Sequence, residues 1–184
     1  LVFSSGMAAI STTILSILSS GDHIIFQKGL YGGTTNFILS EFDRFGIKYS
    51  FASSQNAEDI MSEVTPNTKL IFIETPSNPL LNITDIESVA KMAKESGILT
   101  VIDNTFASPV NQQPARFGID IVIHSATKYI GGHSDICAGV VASSKQLIDK
   151  IHKTGLNLGG SLNAITLYLI ERSLKTLDVR MERI

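Results

Sequence analysis

Short runs of β-branched and aromatic residues alternate with amphipathic stretches along the whole 184-residue chain. The runs are Ile24–Phe26, Lys48–Ala52, Lys69–Glu74, Leu99–Asn104, Ile119–His124 and Gly139–Ser143. Their length and their Ile, Val and Phe content predict strands. Between them, apolar residues recur at helical spacing near 7–19, 33–45, 56–64, 84–96, 144–155 and 162–178. Such alternation argues for an α/β domain with helices covering both faces of a mostly parallel sheet. Thr84-Asp85-Ile86-Glu87 resembles a capping box that opens the helix carrying Ile86, Val89, Ala90 and Met92. Gly97 then falls where a helix C-terminal glycine belongs. No internal repeat, low-complexity run or linker divides the chain, so one domain is expected over 1–184.

Three of these elements end in residues suited to chemistry. The run 119–124 is followed by Ser125-Ala126-Thr127-Lys128-Tyr129-Ile130-Gly131-Gly132-His133, a lysine among hydroxyls and glycines just past a strand end. In open α/β sheets ligands bind outside the carboxyl ends of the strands. A lysine desolvated there can lose its proton and attack a carbonyl. Taken alone, Lys128 reads as a solvated loop lysine. Ser4-Ser5-Gly6-Met7-Ala8-Ala9 precedes an apolar helical stretch, so Gly6 and Met7 would offer free backbone N–H groups to a phosphate. That segment reads equally well as an ordinary Ser-capped helix. The run 99–104 carries Asp103 at its end, where a carboxylate can keep a pyridine nitrogen protonated or cap the following turn. Lysine, hydroxyls and a glycine loop together would suit pyridoxal phosphate.

With those pieces placed, the chain resembles the Cys/Met-metabolism (transsulfuration) family of pyridoxal-phosphate enzymes. The resemblance runs in order through Ser4–Ala9, Tyr31-Gly32-Gly33-Thr34, Glu74-Thr75-Pro76-Ser77-Asn78-Pro79, Asp103-Asn104-Thr105, Ser125–Tyr129 with Gly132-His133-Ser134-Asp135, and Leu174-Lys175-Thr176-Leu177 with Arg180-Met181. It implies a fold-type-I, aspartate-aminotransferase-like large domain and pyridoxal 5′-phosphate as cofactor. Lys128 would carry the Schiff base and shuttle protons, and Asp103 would pair with the pyridine nitrogen. Gly6, Met7, Ser125 and Thr127 would hold the phosphate. Tyr31 would stack on the ring and act as an acid or base near the leaving group. Asn78 would bond the phenolic oxygen, with Glu74 nearby. Without the family pattern, Tyr31 reads as a core aromatic and Asn78 as a turn residue before Pro79. Arg172 and Arg180 receive no transferred role and read as exposed or helix-pairing arginines.

The same resemblance implies a small amino-acid substrate, a sulfur amino acid or an activated homoserine. It fits reactions of the cystathionine γ-synthase or γ-lyase type, with β-lyase and methionine γ-lyase as alternatives. Methionine γ-lyases typically carry cysteine after Tyr-Gly, where this chain has Gly33, which leans towards cystathionine chemistry. An aminotransferase or a non-catalytic cofactor-binding fragment is the competing class. Family members are tetramers built as dimers of dimers. Relative to the pattern, the chain lacks an initiator methionine, an N-terminal arm and a C-terminal domain, so it is expected to be a fragment.

Composition limits the remaining possibilities. Fifteen basic residues against 17 acidic ones give no case for a nucleic-acid or anionic-membrane partner. At 43% hydrophobic residues the chain can build a sizeable core. No stretch reaches the length of a membrane span, and no signal-peptide pattern opens the chain. The single cysteine, Cys137, is expected to be a small buried hydrophobe and fits a reducing, cytoplasmic compartment. No Rossmann glycine fingerprint or P-loop occurs. One cysteine and four scattered histidines give no metal-ligand spacing, so no metal is expected. His133 reads as a loop-shaping hydrogen-bonder.

Overall fold

The structure, a computed structural model, describes residues 1–184. Its strands are β1 (Val2–Phe3), β2 (His23–Phe26), β3 (Lys48–Phe51), β4 (Thr68–Glu74), β5 (Leu99–Asp103), β6 (Ile121–Ser125) and β7 (Gly139–Ser143). They form one sheet in the order β1-β7-β6-β5-β4-β2-β3. The block β3-β2-β4-β5-β6 is parallel throughout, and β7 pairs antiparallel with both β6 and β1. The helices are α1 (Gly6–Ile17), α2 (Gly32–Phe45), α3 (Ala57–Met61), α4 (Ile86–Glu95), α5 (Ser108–Asn111), α6 (Lys145–Leu158), α7 (Ala164–Leu174) and α8 (Leu177–Arg183).

Because strand side chains alternate between faces, the central strands are apolar on both. Ile24, Phe26, Leu70, Phe72, Val101, Ile121 and Ile123 pack with Ile10 and Ile14 of α1, Ile38 and Phe42 of α2 and Ile151 of α6. Phe26 makes ring contacts with Phe42, Phe51 and Phe72 at 5.7–5.9 Å. The intervening residues Ile25, Ile71, Ile73, Ile102 and Val122 pack against Ile60 of α3 and Val89, Ala90 and Ala93 of α4. Helices therefore cover both faces. A third apolar cluster, including Ala126, Ile130, Ile136, Ile170, Leu177 and Met181, lies beneath the turn that follows β6.

Several details differ from the sequence reading. β6 begins two residues later than expected because Asp120 serves as a clamp. Its Oδ2 accepts from the Thr100 backbone N–H and hydroxyl, both at 2.8 Å. The stretch 162–178 breaks into α7 and α8, since Lys175 and Thr176 donate to Arg172 and Ser173, three residues back, and tighten the last turn. The N-cap of α4 is Asp85, which accepts from the Ser88 N–H at 3.1 Å. Thr84 instead donates its buried hydroxyl to Gln27 Oε1 at 2.9 Å. Cys137 is exposed rather than buried: its neighbours Ile136 and Ala138 point inward and it points out. No helix is long and apolar enough to cross a membrane.

Asp120 joins the strands that end in Asp103 and Ser125. Replacing it with Ala strands the Thr100 N–H in a site 1% exposed. Asp120→Ala is expected to lower unfolding free energy by about 1–3 kcal/mol, measured by urea denaturation. An unchanged midpoint would refute the clamp.

Candidate active site

Parallel strands deliver their last residues to one edge of the sheet. Glu74 of β4 lies directly opposite Asp103 of β5, and Asp103 is opposite Ile123, two residues before Ser125. The chain runs from β2 outward to β3, then crosses back over β2 to begin β4. The sheet thus reverses its winding between β2 and β4, a position that favours ligand crevices.

Asp103 is 7% exposed, and burial pushes its carboxyl above the ordinary range, opposed by hydrogen bonds from Thr105. Its Oδ1 accepts from the Thr105 N–H at 3.0 Å and from the Thr105 hydroxyl. Oδ2 makes no hydrogen bond within the chain and stays open to solvent at the end of the strand. The Thr105 hydroxyl oxygen in turn accepts from the Ser125 N–H at 2.7 Å. One threonine hydroxyl therefore ties the ends of β5 and β6 together.

Glu74 is also buried, 5% exposed, and uses each oxygen on a different loop. Oε2 accepts from the Tyr31 N–H at 2.8 Å and Oε1 from the Asn78 N–H at 2.7 Å. Burial raises its pKa to about 7. The neighbouring Asp103 adds to the rise, and the two amide bonds work against it. Gln27 supports the same corner by donating to the Glu74 carbonyl. His124, buried on β6, is held neutral at pH 7 because burial lowers its pKa to about 4.

The phosphate-binding candidates meet at the start of α1. Ser5 caps this helix by accepting from the Ala8 N–H at 3.0 Å, so the Gly6 and Met7 N–H groups at its first turn remain free of helical partners. A Cβ on Gly6 would sit 2.9 Å from Ser125 Cβ; only glycine lets helix and turn approach so closely. The Thr127 hydroxyl accepts from the Ala138 N–H at 3.0 Å, and its donation to the Ala138 carbonyl is a longer 3.3 Å contact. The Tyr31 side chain lies over Gly33 and near Met7: a Cβ on Gly33 would fall 2.5 Å from Tyr31 Cε1 and 3.2 Å from Met7 Sδ.

The outer side chains are open. Lys128 and Asn78 are exposed and Tyr31 is 46% exposed. Residues of this chain do not bury Lys128. His133 donates from Nδ1 to the Gly131 carbonyl at 2.7 Å, which fixes its tautomer and bears out a loop-shaping role. Sequence reasoning gave no separate role to Thr105 or Gln27. Thr105 stood inside a quoted motif, whereas Gln27 carried no local signal, because its partners Glu74 and Thr84 are 47 and 57 residues away.

A lysine-bearing turn, a buried strand-end acid and a glycine-started helix converge on one edge of this sheet, the arrangement of a fold-type-I pyridoxal-phosphate enzyme domain. Residues 1–184 match the sequence model of the Cys/Met metabolism PLP-dependent enzymes, and the chain belongs to that family. It is 46% identical over 183 residues to cystathionine gamma-lyase of Bacillus subtilis strain 168, covering 99% of this chain and 48% of that protein. It is also 46% identical over 182 residues to the cystathionine beta-lyase MetC of the same organism, covering 98% and 46%. A crystal structure of cystathionine gamma-lyase from Lactobacillus plantarum complexed with L-serine superposes with a TM-score of 0.93 at 42% identity, covering 97% of this chain and 47% of that one. The chain thus spans about half the length of the relatives it matches.

Glu74 holds an extra proton in the folded state between its ordinary pKa of 4.5 and about 7. Its contribution to stability therefore falls as pH rises through that window. His124 acts oppositely, stability rising from about pH 4 to 6.5 as the unfolded state loses its extra proton. Glu74→Gln should remove the falling component and make stability climb more steeply between about pH 5 and 6.5 than in the wild type. Stepped-pH denaturation checks this; parallel profiles would overturn it.

Proposed function

We propose that this chain is the cofactor-binding large domain of a pyridoxal-phosphate-dependent transsulfuration enzyme. Its substrates would be sulfur amino acids or activated homoserines, in elimination or replacement of the cystathionine γ-synthase or γ-lyase type. The carrying observation is buried Asp103, whose Oδ2 is left free and accessible while Oδ1 is held by Thr105, one hydroxyl away from the turn that bears Lys128.

The residues fit the cofactor on their own chemistry. Asp103 offers an anionic acceptor to a protonated ring nitrogen, with its other oxygen already held by Thr105. The Gly6 and Met7 N–H groups and the Ser125 hydroxyl offer donors to a phosphate, and the Thr127 hydroxyl would join them by turning its proton away from the Ala138 carbonyl. Asn78 presents an amide to the phenolic oxygen, and Tyr31 a ring face with a hydroxyl able to move a proton near the leaving group. Glu74 serves by fixing the backbones of Tyr31 and Asn78. When bound, pyridoxal phosphate supplies the electron sink that stabilises a carbanion at the substrate Cα. The Lys128 amine anchors the cofactor and, once displaced by substrate, takes the Cα proton and returns it where the reaction requires.

Gly33, where methionine γ-lyases typically carry cysteine, leans towards cystathionine chemistry within the family, and a side chain there would meet the Tyr31 ring. We place the intact protein in the cytoplasm, as a homotetramer formed from two dimers.

In the intact protein, Lys128→Ala is expected to abolish borohydride-fixed cofactor on the peptide containing residue 128, read by mass spectrometry. Wild type should retain it and release keto acid from cystathionine or consume an O-acylhomoserine. Wild-type protein that is folded yet retains no reducible cofactor would overturn the proposal.

A further inference from the structure

We propose that Arg180 is a positioning residue for Lys128, holding the turn after β6 in the one conformation that aims the lysine at the site. The inference rests on the reading of Lys128 as the cofactor anchor.

The turn is short and closes on itself. The Lys128 N–H donates to the Ser125 carbonyl at 3.1 Å, Gly131 to Ala126 at 2.7 Å and Gly132 to Lys128 at 2.7 Å. Like the last turn of a helix, it leaves its final carbonyls without backbone donors. Arg180 supplies them from α8. Its Nη1 donates to the Tyr129 carbonyl, and Nη2 donates to the Ile130 carbonyl at 3.2 Å and the Ser173 carbonyl at 3.0 Å. Nε donates to the Thr176 hydroxyl at 3.2 Å. A planar fork of fixed donors can serve four acceptors on two segments at once, which a lysine ammonium cannot reproduce. The guanidinium thereby pins the turn to the junction of α7 and α8.

Two further observations make this contact more than a surface cap. Gly132 has φ +73°, and a Cβ there would lie 2.1 Å from Arg180 Nη1 and 2.6 Å from Cζ. The glycine satisfies the left-handed backbone and the arginine's approach together. Ala126 and Ile130 of the turn also share an apolar cluster with Leu177 and Met181, which lie on α8 with Arg180. Lys128 itself is exposed and has no side-chain hydrogen bond within the chain. Its direction is consequently set by its backbone, and its backbone by the turn that Arg180 closes.

The test compares Arg180→Met, Arg180→Lys and the milder Thr176→Val with wild type in the intact protein. Hydrogen exchange at the Gly131 and Gly132 amides reads the turn with no cofactor present. Exchange in Arg180→Met should quicken on the order of tenfold, with Arg180→Lys between it and wild type. With cofactor, the visible circular dichroism of the bound ring should weaken. The turnover number kcat should fall on the order of tenfold or more, and KM should change little. Should Arg180→Met fail to fold, Thr176→Val must show the same changes in smaller degree. Wild-type exchange and dichroism in a folded Arg180 variant would overturn the proposal. Altered exchange in protein whose wild type holds no reducible cofactor would support the positioning and overturn the reading of Lys128 as anchor.

Discussion

Two carboxylates buried side by side at the ends of adjacent parallel strands are the constraint around which this edge of the molecule is built. Parallel register leaves Glu74 and Asp103 no freedom to avoid each other, and burial disfavours the charge on both. Each must therefore be given donors, and the neighbouring loops supply them. Glu74 takes the amides of Tyr31 and Asn78, and Asp103 takes both donors of Thr105. The loops that a ligand would touch are thus fixed as a consequence of satisfying two acids.

This coupling divides the site into a rigid floor and an open rim. Asp103, Glu74 and the Gly6 end of α1 lie in or at the core, tied to strands whose apolar residues fill both faces of the sheet. Lys128, Asn78 and Tyr31 stand in solvent on short loops. The Lys128 and Asn78 side chains make no hydrogen bond within the chain, so their placement must come through the backbone, and the Tyr31 ring has in addition its packing over Gly33. Glu74 does this for Tyr31 and Asn78. Arg180 is placed to do the same for the lysine turn, from a helix some 50 residues further along the chain.

The relatives that match this chain carry out different reactions, a γ-lyase and a β-lyase among them, at equal identity. The proposed roles are compatible with that diversity: a ring-nitrogen acceptor and a phosphate cradle on the floor, with a lysine on the rim, would serve any reaction that begins by deprotonating Cα. Discrimination must come from groups nearer the leaving group. Tyr31, proposed to stand there, packs its ring over Gly33, where any side chain would meet it.

The sequence by itself determined the α/β layering, because period and β-branching are local properties that tertiary contacts did not override. It also placed candidate chemistry-bearing residues at the strand ends, each ambiguous by itself and legible only as an ordered set. It misjudged what depends on distant partners. Thr84 was read as a cap, yet its hydroxyl serves Gln27 across 57 residues, and Asp85 caps in its place. Cys137 was read as buried from apolar neighbours that in fact point the other way. Local pattern makes Arg180 an exposed or helix-pairing arginine, because nothing adjacent to it names the Tyr129 and Ile130 carbonyls. Only the tertiary structure decided which acids lie in register, which amides satisfy them and what closes the lysine turn. Apart from the short-range bonds of Asn78 to Glu74 and Thr105 to Asp103, these are contacts between segments far apart in the chain, and local pattern carries no record of them.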